Sequence, residues 1–300
     1  MDSLTTLLNQ YALRAGVFYA GNICGIHGFP DDASRGHLHL VRTGTAQLIG
    51  IDASPIVVDE PTVLFLPRPG PHRLVIDQDT GSDMVCGTVQ FGMGGWNPIT
   101  STLPSAVMVP LRSMPSIEGL LRSMFDEAFE QRFGRQAVLD RYCEIIMVKL
   151  LRHCLEHGLA QGGSMAGLAH PRLSKVLHQV HEHPAKDWTL EAMAECAGMS
   201  RARFALLFRQ VTGDTPADYV GSWRITTAQR LLRSGRGIKH VVDAVGYTSA
   251  SAFTRAFTRK VGLSPAAWLK GPHPQPLTTH TEMPGETNET QRQLANGLNS

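Results

Sequence analysis

The sequence predicts an α+β multidomain chain: an antiparallel β-barrel with a helical subdomain in the N-terminal half, then an all-α domain built from two helix-turn-helix units. Three observations carry this. Short strand-like runs, broken by Gly, Pro and Asp, recur through residues 1–110. Between Gly198 and Trp268 one helical pattern is written twice, at an offset of 49 residues. The charge also divides, because residues 171–270 hold 15 Lys+Arg against 7 Asp+Glu while the remainder holds 13 against 19. The whole-chain net of +2 therefore conceals a basic module attached to an acidic one.

In chain order, strands are expected at Val17 to Tyr19, His37 to Arg42, Ala46 to Ile51, Ile56 to Val58, Val63 to Leu66, Arg73 to Ile76 and Val85 to Phe91. Their even spacing and turn signals suit a small barrel or a double-sheet jelly roll. Pro115 to Phe133 and Gln136 to His157 read as helices of a subdomain at 111–158. The second has Tyr142, Ile145, Ile146, Val148, Leu150 and Leu151 to bury, either on the barrel or in a homodimer. The Gly-rich stretch at 161–167 reads as a flexible linker within 159–170, and 271–300 as a disordered tail poor in apolar residues. A composition of 42% apolar residues suffices for a core in each of two domains. No apolar run approaches a membrane span and Met1 to Gln10 lacks a basic, apolar leader, so a cytoplasmic chain without membrane contact is expected.

The duplicated pattern has a physical reading. Phe204 with Phe208, and Phe253 with Phe257, are i,i+4 pairs that anchor one helix face to a small core and leave the opposite face free. Ser200 and Ser249 are N-cap residues, Gly213 and Gly262 are left-handed stops, and Thr215-Pro216 and Ser264-Pro265 restart the chain as helix. Thr189 caps a supporting helix over Leu190 to Cys196, and Ile238 to Val245 supports the second unit. Pro216 to Ser234 joins the units through an apolar stripe of Tyr219, Val220, Trp223, Ala228, Leu231 and Leu232. Two such helices on one linker reach successive major grooves, roughly 34 Å apart on B-DNA.

Residues 171–270 resemble the DNA-binding domain of AraC-type transcription regulators, through Arg224-Ile225, Ala228, Leu231-Leu232, Val241-Val242, Val245-Gly246-Tyr247, Phe253, Phe257 and Gly262-Leu263-Ser264-Pro265. The resemblance implies a regulator that binds double-stranded promoter DNA and works with RNA polymerase. Its pattern assigns base-edge contacts to Ala202, Ala205 and Leu206 in the first reading helix and to Ser251, Thr254 and Arg255 in the second. Arg255 is suited to bidentate pairing with guanine. The first helix departs from the usual polar set, so its readout falls to methyl contacts, with Arg201, Arg203 and Arg209 directed at phosphates. The basic module supplies the matching salt-sensitive attraction.

His37-Leu-His39 and the stretch from Pro67 to His72 resemble the two short motifs of the cupin superfamily. Arg42, Thr43 and Gly44 stand where its metal-binding glutamate is expected, so the enzyme-type ligand set is incomplete. The order Cys24, His39, His72, Cys86 resembles a cupin-bearing branch of AraC-type regulators that includes sensors of reactive chlorine species. The likeness implies a redox role for Cys24 and Cys86 and a four-residue site for zinc or copper(I), since two thiolates and two imidazoles suit either ion. Thiolates are also the groups that oxidants attack first. Two other readings stand beside this one: a pocket for a small organic effector, and a metalloenzyme, against which the missing glutamate argues. Cys143, Cys154 and Cys196 sit among apolar residues as core thiols, and His178, His181 and His183 lack a completing ligand. Gly92 to Gly95 lies in a loop with no helix after it, and no nucleotide-binding glycine pattern occurs.

Overall fold

In the computed structural model the described residues are 3–271, apart from 30–34, 69, 92–96, 98, 131 and 161. The expected tail at 271–300 lies almost wholly outside them, as does the Gly92 to Gly95 loop. A helix α1 (Ser3–Tyr11) comes first. The strands follow as β1 (Arg14–Ile23), β2 (Gly25–Phe29), β3 (Gly36–Thr43), β4 (Ala46–Ile49), β5 (Ile56–Val58), β6 (Thr62–Leu66), β7 (His72–Ile76), β8 (Ser82–Gln90) and β9 (Val107–Pro110). Next are α2 (Pro115–Phe129), α3 (Arg135–Glu156), α4 (Gly163–Ala169), α5 (Leu173–Glu182), α6 (Leu190–Cys196) and α7 (Arg201–Thr212). The last helices are α8 (Pro216–Arg233), α9 (Ile238–Ala244), α10 (Ala250–Val261) and α11 (Pro265–Lys270).

The described residues form two compact units, one within 13–90 and 103–153, the other within 3–12, 91–102 and 154–271. The first is a double-sheet structure. Its sheets run β1-β8-β3-β6-β9 and β2-β7-β4-β5, with antiparallel pairing throughout the registers. The expected barrel is thus two facing sheets, the jelly-roll alternative, and the core between them includes Leu48, Leu64, Leu66, Leu74, Met84 and Cys86. β2 escapes the sequence reading because its Gly-Ile-His-Gly-Phe carries two residues with no strand signal.

Helix α3 repairs an irregularity in this sheet. The β1–β8 register slips between Val17 and Tyr19, which leaves Phe18 outside the ladder. The Val17 N–H donates to Asp140 Oδ1 at 2.9 Å, and the Val17 carbonyl accepts from Gln136 Nε2 at 2.7 Å. α2 is pinned by Arg42, whose guanidinium lies 5.0 Å from the Phe125 ring centre and is ion-paired with Asp83 at 2.9 Å.

In the second unit the repeated signals take effect. Gly213 and Gly262 terminate α7 and α10 at φ 80° and 81°, while the Thr189, Thr215, Ser249 and Ser264 side chains each accept an N-cap hydrogen bond. Ser200 holds the N-cap position without a side-chain bond, so only the second reading helix is capped by its serine. All four phenylalanines are fully buried, each burial stabilising by roughly 2–3 kcal/mol.

Two expectations need correction. The segment read as a flexible linker forms α4, with Ser164, Met165 and Gly167 buried. Its glycines permit close packing rather than freedom, since a Cβ on Gly167 would stand 2.5 Å from Leu177 Cδ1. The stretch 1–110, expected as a cupin-like barrel, opens on a helix instead, and α1 belongs to the helical unit.

Gly246 stands at φ 75°, and a Cβ there would meet backbone atoms of Ala185 at 2.6 Å. Gly246→Ala is therefore expected to destabilise the helical unit by about 3 kcal/mol, combining left-handed strain with overpacking against a backbone that cannot yield. Urea unfolding of the variant against the wild type checks this.

Candidate functional site

The helical unit presents two reading helices of unlike chemistry. In α7 the buried Phe204, Phe208 and Thr212 face inward, leaving Ala202, Arg203, Leu206 and Arg209 exposed and Ala205 half-buried. Leu206 is 61% exposed, a large apolar side chain held in water at the centre of this face. A groove of about 520 Å³ beside it is walled by Trp188, Leu190, Met193, Ala205, Leu206 and Arg209, among others. In α10 Phe253 and Phe257 face inward, leaving Ser251 and Arg255 exposed and Thr254 half-buried.

Two of the predicted contact residues already have partners. Arg201 is ion-paired with Glu191, which offsets the charge available to a phosphate. The Ser251 hydroxyl lies 3.1 Å from that of Ser249, the cap of its own helix. Arg255 is exposed on the second helix. The helix joining the two units buries Tyr219, Val220, Trp223, Ala228 and Leu232 as expected, and also Ile225, while Leu231 is only partly buried.

In the two-sheet unit, His39 and Cys86 face each other across β3 and β8. His39 Nδ1 is 3.2 Å from Cys86 Sγ, and His39 Nε2 is 3.0 Å from His72 Nε2. The protons in this chain can be placed from one end. His72 Nδ1 lies 3.2 Å from the Gly70 carbonyl, which can only accept, so in a neutral ring Nδ1–H donates and Nε2 is left as an acceptor. His39 Nε2–H then donates to His72, and His39 Nδ1 accepts from the Cys86 thiol.

Both imidazoles are held neutral. Burial, reinforced by His72 and His37, keeps His39 well below the usual histidine range. Burial and the neighbouring His37 press His72 down to about 4, partly offset by its bond to Gly70. Burial drives the Cys86 thiol up, which keeps its proton in place. Phe29 closes the cluster, stacked on His72 with ring centres 4.7 Å apart, and His37 meets the same ring edge-on at 4.8 Å. His37 could have been found from the sequence, because alternation along a strand puts residues 37 and 39 on one face. Phe29 could not, since it sits on the strand that the glycines hid.

Cys24 stands apart from this cluster. It is exposed, and its carbonyl accepts from His27 Nε2 at 2.7 Å. Tyr19 is opposite Cys86 in the β1–β8 register and Cys24 follows five residues later, which separates the two cysteines by on the order of 15 Å at the rise of an extended strand. The expected zinc or copper(I) cage of Cys24, His39, His72 and Cys86 is not assembled. A metal takes one lone pair from each ligand at a single centre, whereas His39 meets Cys86 and His72 through opposite ring nitrogens. Among the described residues no group of three or more His, Cys, Asp or Glu is arranged to hold a metal ion. The remaining thiols match expectation for Cys143 and Cys154, which are buried, while Cys196 is only partly so. His181 is buried and bonded to the Tyr219 hydroxyl at 2.8 Å. No helix among the described residues is long and apolar enough to cross a membrane.

Residues 2–156 match the family model described as cupin, and residues 193–271 match that of a helix-turn-helix domain. An AraC-like transcription regulator of Streptomyces lividans is 30% identical over 261 residues, covering 77% of this chain and 86% of that one. The RCS-specific HTH-type transcriptional activator RclR of Escherichia coli K12 is 29% identical over 237 residues, covering 77% of this chain and 82% of its own. Among solved structures, the DNA-binding domain of AdpA in complex with a target DNA shares 34% identity, covers 32% of this chain and 86% of that one, and superposes with a TM-score of 0.31.

Arg255→Ala is expected to weaken binding to a specific duplex by roughly 1–3 kcal/mol and to relax the preference at one base pair. Equilibrium binding to a set of singly substituted duplexes reads both effects. Acid should destabilise the two-sheet unit. Because the folded-state pKa of His72 lies below its unfolded value, its contribution is present above about pH 6.5 and is lost as pH falls toward about 4. Thermal unfolding across that window should fall more steeply for the wild type than for His72→Gln.

Proposed function

Because this chain belongs to the AraC-like transcription regulators and is a cupin through its N-terminal half, we propose that an oxidant acting on its cupin thiols alters its grip on DNA. The two helix-turn-helix units bind the DNA, and the cupin domain receives the signal. The observation that supports the oxidant reading is the difference between the two thiols. Cys24 is open to solvent, while Cys86 is buried with its proton directed at the lone pair of a neutral imidazole. The name of the Escherichia coli relative, specific for reactive chlorine species, points to the class of oxidant.

The chemistry balances without a metal. Hypochlorous acid oxidises the Cys24 thiol to a sulfenic acid and releases hydrogen chloride. The Cys86 sulfur then attacks the Cys24 sulfur, and the Cys86 proton passes through His39 Nδ1 to the hydroxide displaced from Cys24, which leaves as water. Two thiols and one hypochlorous acid thus become a disulfide, hydrogen chloride and water. A disulfide requires its two Cα atoms within about 7 Å, far less than the separation along β1. The bond can close only as β1 leaves its register with β8, so oxidation is coupled to a change in the sheet.

The same reading places the chain in the cytoplasm, with RNA polymerase as its partner at the promoter. It also includes a homodimer through α3, where Val138 and Ile145 are 38% and 45% exposed one heptad apart.

The test is to count free thiols and measure DNA affinity before and after about one equivalent of hypochlorous acid, with Cys24→Ser and Cys86→Ser alongside the wild type. The wild type should lose two thiols and shift its affinity. Each variant should keep the basal affinity and show no shift. A full response in both variants would sink the thiol reading in favour of an organic effector, and sedimentation of the same samples reports the oligomeric state.

A further inference from the structure

The DNA-binding unit includes a segment from the opposite end of the chain. In α1, Leu7 is fully buried and Gln10 nearly so. Gln10 Nε2 donates to Thr227 Oγ1 at 3.1 Å, and Arg230 Nε donates to Gln10 Oε1 at 2.8 Å, contacts that span 217 and 220 residues of sequence. One residue on, the Tyr11 ring meets Trp223 edge-on with centres 6.3 Å apart, and the Tyr11 side chain is hydrogen-bonded to Thr226. All four partners lie on α8. Trp223, Thr227 and Arg230 are spaced at i, i+4 and i+7, so they share one face of that helix. From the other side Trp223 is stacked on His181 of α5, ring centres 3.7 Å apart. Ala12, the non-glycine residue with positive φ at 41° among the described residues, then turns the chain out of α1 toward β1.

α8 is the single helix between the two reading units, so its orientation sets the distance and rotation between α7 and α10. A side-chain amide with both of its ends matched is more demanding than apolar packing, because a slipped contact leaves a buried donor and a buried acceptor unpaired. We propose that α1 is a brace on α8 that fixes the spacing of the two reading helices, and that Gln10 is a positioning residue for DNA binding. It touches no DNA. It acts through Thr227 and Arg230, which hold the middle of α8.

The probe is a duplex selected by the wild-type protein from a random-sequence pool. It is compared with the same duplex lengthened by one base pair between its half-sites, and with duplexes in which one half-site is scrambled. Gln10→Leu keeps the bulk and removes both hydrogen bonds. Gln10→Glu can still accept from Arg230 and from the Thr227 hydroxyl. Gln10→Leu should bind the selected duplex about tenfold more weakly, the scale of a lost charge-assisted hydrogen bond. It should bind each single half-site as the wild type does, and discriminate less against the lengthened duplex. Gln10→Glu should restore wild-type affinity and spacing preference. Wild-type affinity and spacing preference in Gln10→Leu would overturn the proposal. So would an equal loss on full and half-sites, which marks general destabilisation, or a Gln10→Glu variant that fails to rescue.

Discussion

The inter-motif helix α8 is the constraint on which the DNA-binding unit depends. Each helix-turn-helix lobe is too small to bury its own phenylalanine pair without help, and α8 supplies that help at both ends. Its first half gives Tyr219 to the first lobe, edge-on to Phe208 with ring centres 5.5 Å apart. Its second half gives Ile225, Ala228 and Leu232 to the core that buries Phe253 and Phe257. One continuous helix therefore completes two cores, and the relative placement of the reading faces follows from helix geometry rather than from a loop. The brace from α1 acts on this same element.

The exposed faces of α7 and α10 differ in chemistry. α7 exposes Leu206 and Ala202 beside Arg203 and Arg209, an apolar surface with cations around it. α10 offers a guanidinium and hydroxyls, which can discriminate by hydrogen bonding. The basic charge concentrated in residues 171–270 serves both, since phosphate attraction carries no sequence information of its own.

The cupin unit depends on keeping its histidines neutral. Three imidazoles and a phenyl ring packed this closely tolerate no charge, and the Gly70 carbonyl fixes the direction of every proton from His72 to Cys86. That arrangement makes Cys86 a proton donor toward His39 rather than a ready thiolate, and it leaves exposed Cys24 as the point of first attack in the proposed oxidation.

Local signals in the sequence determined much of this protein. The Phe i,i+4 pairs, the glycine stops at Gly213 and Gly262 and the Thr-Pro and Ser-Pro restarts each act within a few residues, so the helical unit was legible. The strands at Ile56–Val58 and His72–Ile76 were legible for the same reason. Only the tertiary structure decided what depends on distant partners. Glycine is ambiguous by itself: at Gly167 it allows helices to touch, and at Gly25 and Gly28 it sits in a paired strand, yet in sequence both read as breaks. The four metal-ligand residue types at Cys24, His39, His72 and Cys86 looked like a set, but ring orientation and strand register, which no local signal encodes, aim them at different centres. Gln10 carried no signal at all, because its two partners lie more than two hundred residues away and the bonds that give it meaning exist only once α1 has docked on α8.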